Sequence, residues 1–252
     1  MPDRDEPIGL IPAAGRGTRL GLPYPKELQP LIRPGGFKPV AQLALEVLRR
    51  AGARHIVFVV NASKHLLLQH FGGGERFGVD ISYVVQERVT EGVASPGLVD
   101  AIDAAHHLTR GRTVVFAMAD TIVRPADALA RMLAAAAPDD DLMMGLFPAR
   151  RPEAMGMVEV EPSGRVVRVV DKPAKTDLHH GWGVLAWRPR FGEHLHERVR
   201  AGAGDLAAIC NDAFARGLRG RGTIFADGRF ADLGTYEDIV ETERWYREEG
   251  GD

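Results

Sequence analysis

The run Ile56-Val57-Phe58-Val59-Val60, entered from His55, constrains the fold more than any other stretch of the chain. An uninterrupted apolar run without polar alternation does not suit a strand with one wet face; it suits a strand covered on both sides, as in a parallel sheet. Upstream, Val40, Leu43, Val47, Leu48 and Ala51 recur at helical spacing, and Gly52 stops that helix. Downstream, Asn61 or Ser63 offers a cap for a second helix ending at Gly72-Gly73-Gly74, and Val79 to Val85 reads as another strand. Strands and helices in alternation predict the α/β class: a Rossmann-like, three-layer α/β/α fold around a mixed, mostly parallel sheet.

The stretch Gly9 to Leu31, GLIPAAGRGTRLGLPYPKELQPL, points to a ligand. A buried strand (Ile8, Leu10, Ile11) runs through the small residues Ala13 and Ala14 into the turn Gly15-Arg16-Gly17-Thr18-Arg19. Such a turn leaves backbone N–H groups unblocked, and its glycines let the backbone close on an oxyanion. Arg16, Arg19 and Lys26 bring positive charge to the same mouth, so the ligand predicted is a polyphosphate. No Lys-Ser or Lys-Thr follows the glycines, which excludes a Walker P-loop. The third glycine of a dinucleotide fingerprint is displaced to Gly21, and the next strand ends at Asn61 rather than at an acid. An ordinary strand-to-helix turn with two glycines stands beside the phosphate-binding reading.

With 252 residues, 45% hydrophobic and 26% charged, the chain can bury a sizeable core, and no Ser/Pro-rich linker divides it. One domain over 1–252 is expected. A net charge of −2 argues against a protein that coats nucleic acid or an anionic membrane. No apolar run approaches the ~20 residues that cross a bilayer. The single Cys210 has no partner for an intramolecular disulfide, and no secretory leader opens the sequence, so a cytoplasmic protein is expected. Cys210 shares the apolar side of a helix beginning at Asp205 with Leu206 and Ile209, which makes it a packing residue.

Further polar residues fall at the ends of strands. Gln86 closes the strand from Val79, and Glu91-Gly92 opens a helix running to about Leu108. Thr113 to Asp120 is a buried strand ending in a carboxylate, where open α/β sheets bind ligands; a helix-capping role for Asp120 is the alternative. Pro138-Asp139-Asp140-Asp141 reads as a solvated turn. Gly156 to Glu161 and Arg165 to Asp171 form a hairpin about Pro162-Ser163-Gly164, with Lys172 at its edge. Trp182 stands in a glycine-containing strand, as a core residue, a rim residue or a stacking platform. Thr235 and Asp238 make a capping box for the last helix and leave Asp232 free. His179 with His180 point to opposite faces of a strand, and His106 with His107 diverge on a helix, so neither pair is a metal site.

Four of these segments, in order, resemble the signatures of the sugar-nucleotide pyrophosphorylases. They are G-x-G-T-R at 15–19 followed seven residues later by Lys26, the strand-end Asp120, Gly156 to Lys172-Pro173, and Asp232-Leu233-Gly234-Thr235. The resemblance implies transfer of a nucleoside monophosphate from a nucleoside triphosphate, dTTP or UTP, to a sugar 1-phosphate, with Mg²⁺ as cofactor. It implies catalytic roles for Arg19 and Lys26. Nucleotide contacts would come from Ala13, Ala14, Gly15, Arg16, Gly17, Thr18, Gln86 and Gly92, and metal contacts from Asp120 and Asp232. Gly156, Glu159, Asp171, Lys172 and Trp182 would face the sugar phosphate. The nucleotide half would span about 1–137 and the sugar-phosphate half about 138–252. Homo-oligomers are common in that family. Departures accompany the match: Asp171 replaces the usual Glu, Trp182 occupies a position usually small or hydroxylic, and Ala119 precedes Asp120 in place of glycine. A cytidylyltransferase for a non-sugar phosphorylated acceptor and a non-catalytic nucleotide-binding subunit are the alternatives.

Overall fold

The computed structural model describes residues 6–33, 36–87 and 97–248. The first strand, β1 (Ile8–Pro12), leads through the glycine loop into a single 3-10 turn, Lys26–Leu28, and then a short hairpin of β2 (Pro30–Arg33) and β3 (Gly36–Pro39). Helix α1 (Val40–Arg50), β4 (His55–Val60), α2 (His65–Phe71) and β5 (Asp80–Val85) follow as the hydrophobic spacing requires. Next come α3 (Leu98–Ala104), α4 (His106–Thr109), β6 (Val114–Ala117), β7 (Thr121–Arg124), α5 (Ala128–Ala134) and β8 (Leu142–Pro148). The second half contributes the hairpin β9 (Gly156–Val160) and β10 (Val166–Asp171), then β11 (His180–Trp187), α6 (Pro189–Arg200) and α7 (Leu206–Ala215). The last elements are β12 (Gly220–Ile224), β13 (Arg229–Asp232) and α8 (Tyr236–Glu248).

Strands β5, β4, β1 and β6 lie side by side and parallel. β11 joins β6 antiparallel, β8 runs antiparallel beside β11, and β12 adds parallel to β8. The β9–β10 hairpin attaches to β11 where Met157 meets Gly181. This is the mixed, mostly parallel sheet expected from the alternation of elements. Side chains alternate between its faces: Ile8, Leu10, Val57, Val59 and Phe116 pack with α3, α6 and α7, whereas Ile11, Ile56, Phe58, Val60 and Val115 pack with α1, α2 and α5. A third cluster lies outside this sandwich. Leu20 of the glycine loop, Leu31, Ile122, Leu233, Ile239, Trp245 and Tyr246 bind that loop to β2, β7, β13 and α8.

Some local expectations hold and others do not. The capping box forms, with Asp238 N donating to Thr235 Oγ1 (3.2 Å) and Thr235 N to Asp238 Oδ2 (3.0 Å). Asp205 caps α7 through Ala207 N at 3.0 Å and Ala208 N at 3.1 Å. Cys210 is fully buried and free, and burial pushes its thiol pKa up. Asn61 does not cap α2: its carbonyl oxygen accepts from Ser63 N at 2.8 Å, and its amide donates to Ala14 O at 2.6 Å. The segment 138–141 is a solvated turn only in its first half, where Pro138 and Asp139 are exposed. Asp140 and Asp141 are 4% and 5% exposed, because Arg221 and Arg190 pair with them and the backbone of Ala137 and Arg219 donates to them. Helix α6, whose Phe191, Leu195 and Val199 recur at helical spacing and pack into the core, and the hairpin β2–β3 are further elements beyond those expected. Among the described residues no helix is long and apolar enough to cross a membrane.

Candidate active site

The carboxyl ends of β1, β4 and β6 share one edge of the sheet, and Lys26, Gln86 and Asp120 gather there. After β1, Ala13 N still bonds to Val59 O at 2.7 Å, so the chain leaves the sheet only at Ala14 and Gly15. Gly17 has φ +65°, the left-handed region that favours glycine, and it turns the chain back toward Lys26. Gly15 needs no such freedom, but a Cβ there would project into the open space before the loop. Arg16, Thr18 and Arg19 are exposed.

Lys26 stands at the start of the 3-10 turn and its Nζ donates to Asp120 Oδ2. Asp120 lies just beyond β6. Asp232 comes from β13, the strand that pairs with β7, and Leu233 N bonds to Asp120 O at 3.0 Å, so the two aspartates are joined through backbone. Burial pulls the Lys26 pKa down, but the charges of Asp120, which also hydrogen-bonds to it, and of Asp232 hold it above the ordinary lysine value. Asp232 is pushed up to about 6 by burial and by the neighbouring Asp120 carboxylate, against the pull of Lys26 and Arg19. Two carboxylates crowded onto one ammonium are hard oxygen donors short of positive charge, the condition a divalent cation relieves. Among the described residues no three His, Cys, Asp or Glu side chains converge as a metal cage, so a cation here would complete its shell from water and substrate.

Two cavities meet at this point. The smaller, about 180 Å³, is lined by Ala13, Ala14, Gly15, Lys26, Gln86 and Asp120. The larger, about 680 Å³, is lined by Gly156, Asp171, Lys172, Trp182 and Asp232, with α8 as its outer wall. Leu98 and Met118 border both. Part of each predicted set therefore falls into one of two neighbouring spaces, with Lys26, Asp120 and Asp232 at the seam, whereas Arg16, Gly17, Thr18 and Arg19 line neither.

Gln86 is 8% exposed, and its Nε2 has no hydrogen-bond partner among the described residues. An orphaned buried amide beside a cavity is costly unless something fills it. Gly92 lies outside the described residues. In the larger cavity, a Cβ on Gly156 would come within 2.1 Å of Trp182 Nε1, so the glycine lets the indole lie against the backbone. A register shift in β11 between Trp182 and Val184, at Gly183, aims that indole at the cavity. Lys172 has φ 43°, the positive-φ non-glycine conformation among the described residues, and such strain concentrates at functional positions. Glu159 is not brought to the cavity: it pairs with Arg168 across the hairpin at 2.5 Å. Sequence reading missed Arg150 and Arg151, which line the larger cavity and pair with Glu241 and Asp238 of α8. No local pattern signals these, because each partner lies far along the chain.

Comparison with known proteins bears on the family and the fold. The "Nucleotidyl transferase" family model matches residues 8–249. A glucose-1-phosphate thymidylyltransferase of Streptomyces griseus is 28% identical over 244 residues, 93% of this chain and 64% of that protein. One from Neisseria meningitidis is 30% identical over 171 residues, 66% of this chain and 56% of that protein. The chain thus spans under two thirds of the length of these relatives. Among solved structures, a putative glucose-1-phosphate thymidylyltransferase from Bacillus anthracis superposes with TM-score 0.81 at 19% identity, covering 95% of both chains. A UDP-glucose pyrophosphorylase complexed with UDP-glucose superposes with TM-score 0.78 at 23% identity, covering 96% of this chain and 98% of that one. These structural likenesses speak to the fold. The match across nearly the whole sequence speaks to descent: this chain belongs to the nucleotidyl transferase family.

Proposed function

We propose that this protein transfers a nucleoside monophosphate from dTTP or UTP to a sugar 1-phosphate, giving a nucleoside diphosphate sugar and pyrophosphate. The observation that supports this reading is the seam itself: Lys26, Asp120 and Asp232 stand where a small space bounded by the glycine loop and Gln86 meets a larger one walled by Lys172 and Trp182. A phosphate oxygen of the acceptor attacks the α-phosphorus, the new P–O bond forms, and the bond to the β-phosphate oxygen breaks with that oxygen leaving on pyrophosphate. An anionic phosphate nucleophile needs no general base. The barrier is repulsion among the phosphates, so the protein's contribution is alignment and positive charge.

In this reading the loop 13–18 cradles the triphosphate, Arg19 holds the pyrophosphate portion, and Lys26 leaves Asp120 for the α-phosphate. Gln86 pairs its free amide with the edge of the base, together with Gly92. Lys172 receives the acceptor phosphate while Gly156, Asp171 and Trp182 bound the sugar. Asp120 and Asp232 would hold Mg²⁺, which when bound supplies charge neutralisation and alignment to the phosphate oxygens. The division into a nucleotide half (about 1–137) and an acceptor half (about 138–252) follows from the same assignment. The relatives named above support the sugar acceptor, since their names give glucose 1-phosphate as substrate.

The indole on the acceptor wall favours one second reading, a cytidylyltransferase whose acceptor is a non-sugar phosphate. Pyrophosphate release in the presence of magnesium, measured with each nucleoside triphosphate against a panel of sugar 1-phosphates and of polyol and choline phosphates, tests both. Release requiring dTTP or UTP and a sugar supports the first; release only with CTP and a non-sugar acceptor replaces it with the second.

A further inference from the structure

The segment that carries Lys26 is weakly held by its own surroundings. Within residues 15–25 only Leu20 is buried, and the turn Lys26–Leu28 is a single 3-10 turn without a side-chain cap. Its neighbour Glu27 is nevertheless 2% exposed, and both of its carboxylate oxygens accept from Lys64 Nζ, at 2.9 and 2.7 Å. Lys64 is itself 3% exposed and sits in the turn after β4. A buried ion pair is not a general source of stability, since well-packed apolar groups of similar volume serve as well or better. What it supplies is two-point geometry. In a 3-10 turn successive side chains project about 120° apart, so seating Glu27 inward fixes the direction in which Lys26 leaves the backbone.

The same turn grips the other end of the signature. Asn61 Nδ2 donates to Ala14 O at 2.6 Å, and Asn61 Oδ1 is held in turn by Ser63 N at 2.8 Å. One short turn, residues 61–64, therefore pins the entrance of the glycine loop and the exit turn that bears Lys26, while the loop between them is anchored through Leu20.

We propose that Lys64 is a positioning residue for nucleotidyl transfer: by holding both oxygens of Glu27 it sets the aim of Lys26 at the seam between the two cavities. The catalytic half of this statement rests on the function proposed above; the aiming of Lys26 does not.

The decisive variant is Glu27→Met/Lys64→Met, which replaces the pair by apolar side chains of similar length. It is expected to keep its melting temperature within a few degrees and both KM values within about threefold, while kcat falls at least tenfold. In the same protein the acylation rate of Lys26 by an amine-reactive reagent at one pH, read by mass spectrometry, is expected to rise several-fold as Lys26 leaves Asp120. Turnover within twofold of the unaltered enzyme overturns the proposal. So does a fall in turnover with Lys26 labelling unchanged, because aim is then not what the pair provides. Should the double variant not fold, Lys64→Gln, which keeps a neutral hydrogen bond to Glu27, is read by the same two assays and the same criteria. If the unaltered chain releases no pyrophosphate with any acceptor, the functional reading fails, and the labelling comparison alone decides whether Lys64 aims Lys26.

Discussion

Asp232→Asn should stabilise the magnesium-free protein while removing its activity, and the stabilisation should depend on pH in a defined direction. The folded Asp232 carboxyl is raised to about 6 from an ordinary value of 3.8, first by burial and then by Asp120. Below the unfolded value the group is protonated in both states and contributes nothing; above the folded value it is ionised in both, and the folded state bears the whole penalty. A rise of roughly two units corresponds to about 3 kcal/mol if fully expressed. Asp232 is open to the solvent of the cavity, and screening reduces that figure to about 1 kcal/mol. For a chain of this size about 1 kcal/mol moves the melting temperature by ~2–4 °C. Differential scanning calorimetry in a chelating buffer should therefore find the variant more stable by that amount at pH 8, with most of the gain gone at pH 4. Added Mg²⁺ at pH 8 should raise the melting temperature of the unaltered protein more than that of the variant. An equal gain at both pH values, or a loss at pH 8, would refute the claim that crowded carboxylates raise Asp232.

Lys26→Ala should lower kcat by about 100-fold or more with little change in the far-UV circular dichroism spectrum, in the range found when a charge-stabilising donor is removed from an active site; near-normal turnover removes Lys26 from the mechanism. Gly156→Ala places a Cβ 2.1 Å from Trp182 Nε1, so the indole must leave the wall. A shift in tryptophan emission with a raised KM for the acceptor and an unchanged KM for the triphosphate is expected, and an unaffected acceptor KM removes Trp182 from that wall's function. Asp140→Ala strands Arg221 and an amide of Ala137 at a site 4% exposed, and should cost about 3 kcal/mol, or ~6–12 °C of melting temperature, with kcat within twofold. A melting temperature within about two degrees of normal would show that Arg221 and Ala137 find other partners.

Sequence proved most informative where function and local backbone chemistry coincide. The central strands declare themselves through unbroken apolar runs, and the glycine loop, Lys26, Asp120 and Asp232 each occupy a strand end or a turn whose composition is legible without coordinates. Legibility fails where a residue's meaning lies in a partner distant along the chain. Asp140 and Asp141 look like a wet turn because Arg221 and Arg190 are 81 and 49 residues away in sequence. Glu159 reads as a site residue because it shares a motif with Gly156 and Asp171, yet strand alternation turns it from the cavity toward Arg168, while Gly156 and Asp171 stay on the lining. Lys64 carries no motif at all; only its contact with Glu27, 37 residues upstream, distinguishes it from a surface lysine before a helix.

The larger cavity was less legible for a second reason, which, in the function proposed above, bears on how acceptor specificity would be built. The triphosphate presents the same oxyanions whatever its base, and a backbone turn with fixed cations is a general answer to them, so its residues recur as a compact motif. In the function proposed above the acceptor would have to be told apart from its chemical neighbours, and that work would fall to a surface assembled from several elements: Met155 and Gly156 at the start of the hairpin, Lys172 after it, Trp182 from β11 and the acidic face of α8. No local spacing encodes such a surface. Its elements are instead coupled sterically, because Trp182 fits only where residue 156 is glycine, and Phe230 and Phe147 pack against residue 183 so closely that a Cβ there would meet them at 2.6 Å and 2.8 Å. Acceptor choice in this protein should therefore change through Trp182 together with the glycines that admit it, and single substitutions on the wall should weaken acceptor binding before they redirect it.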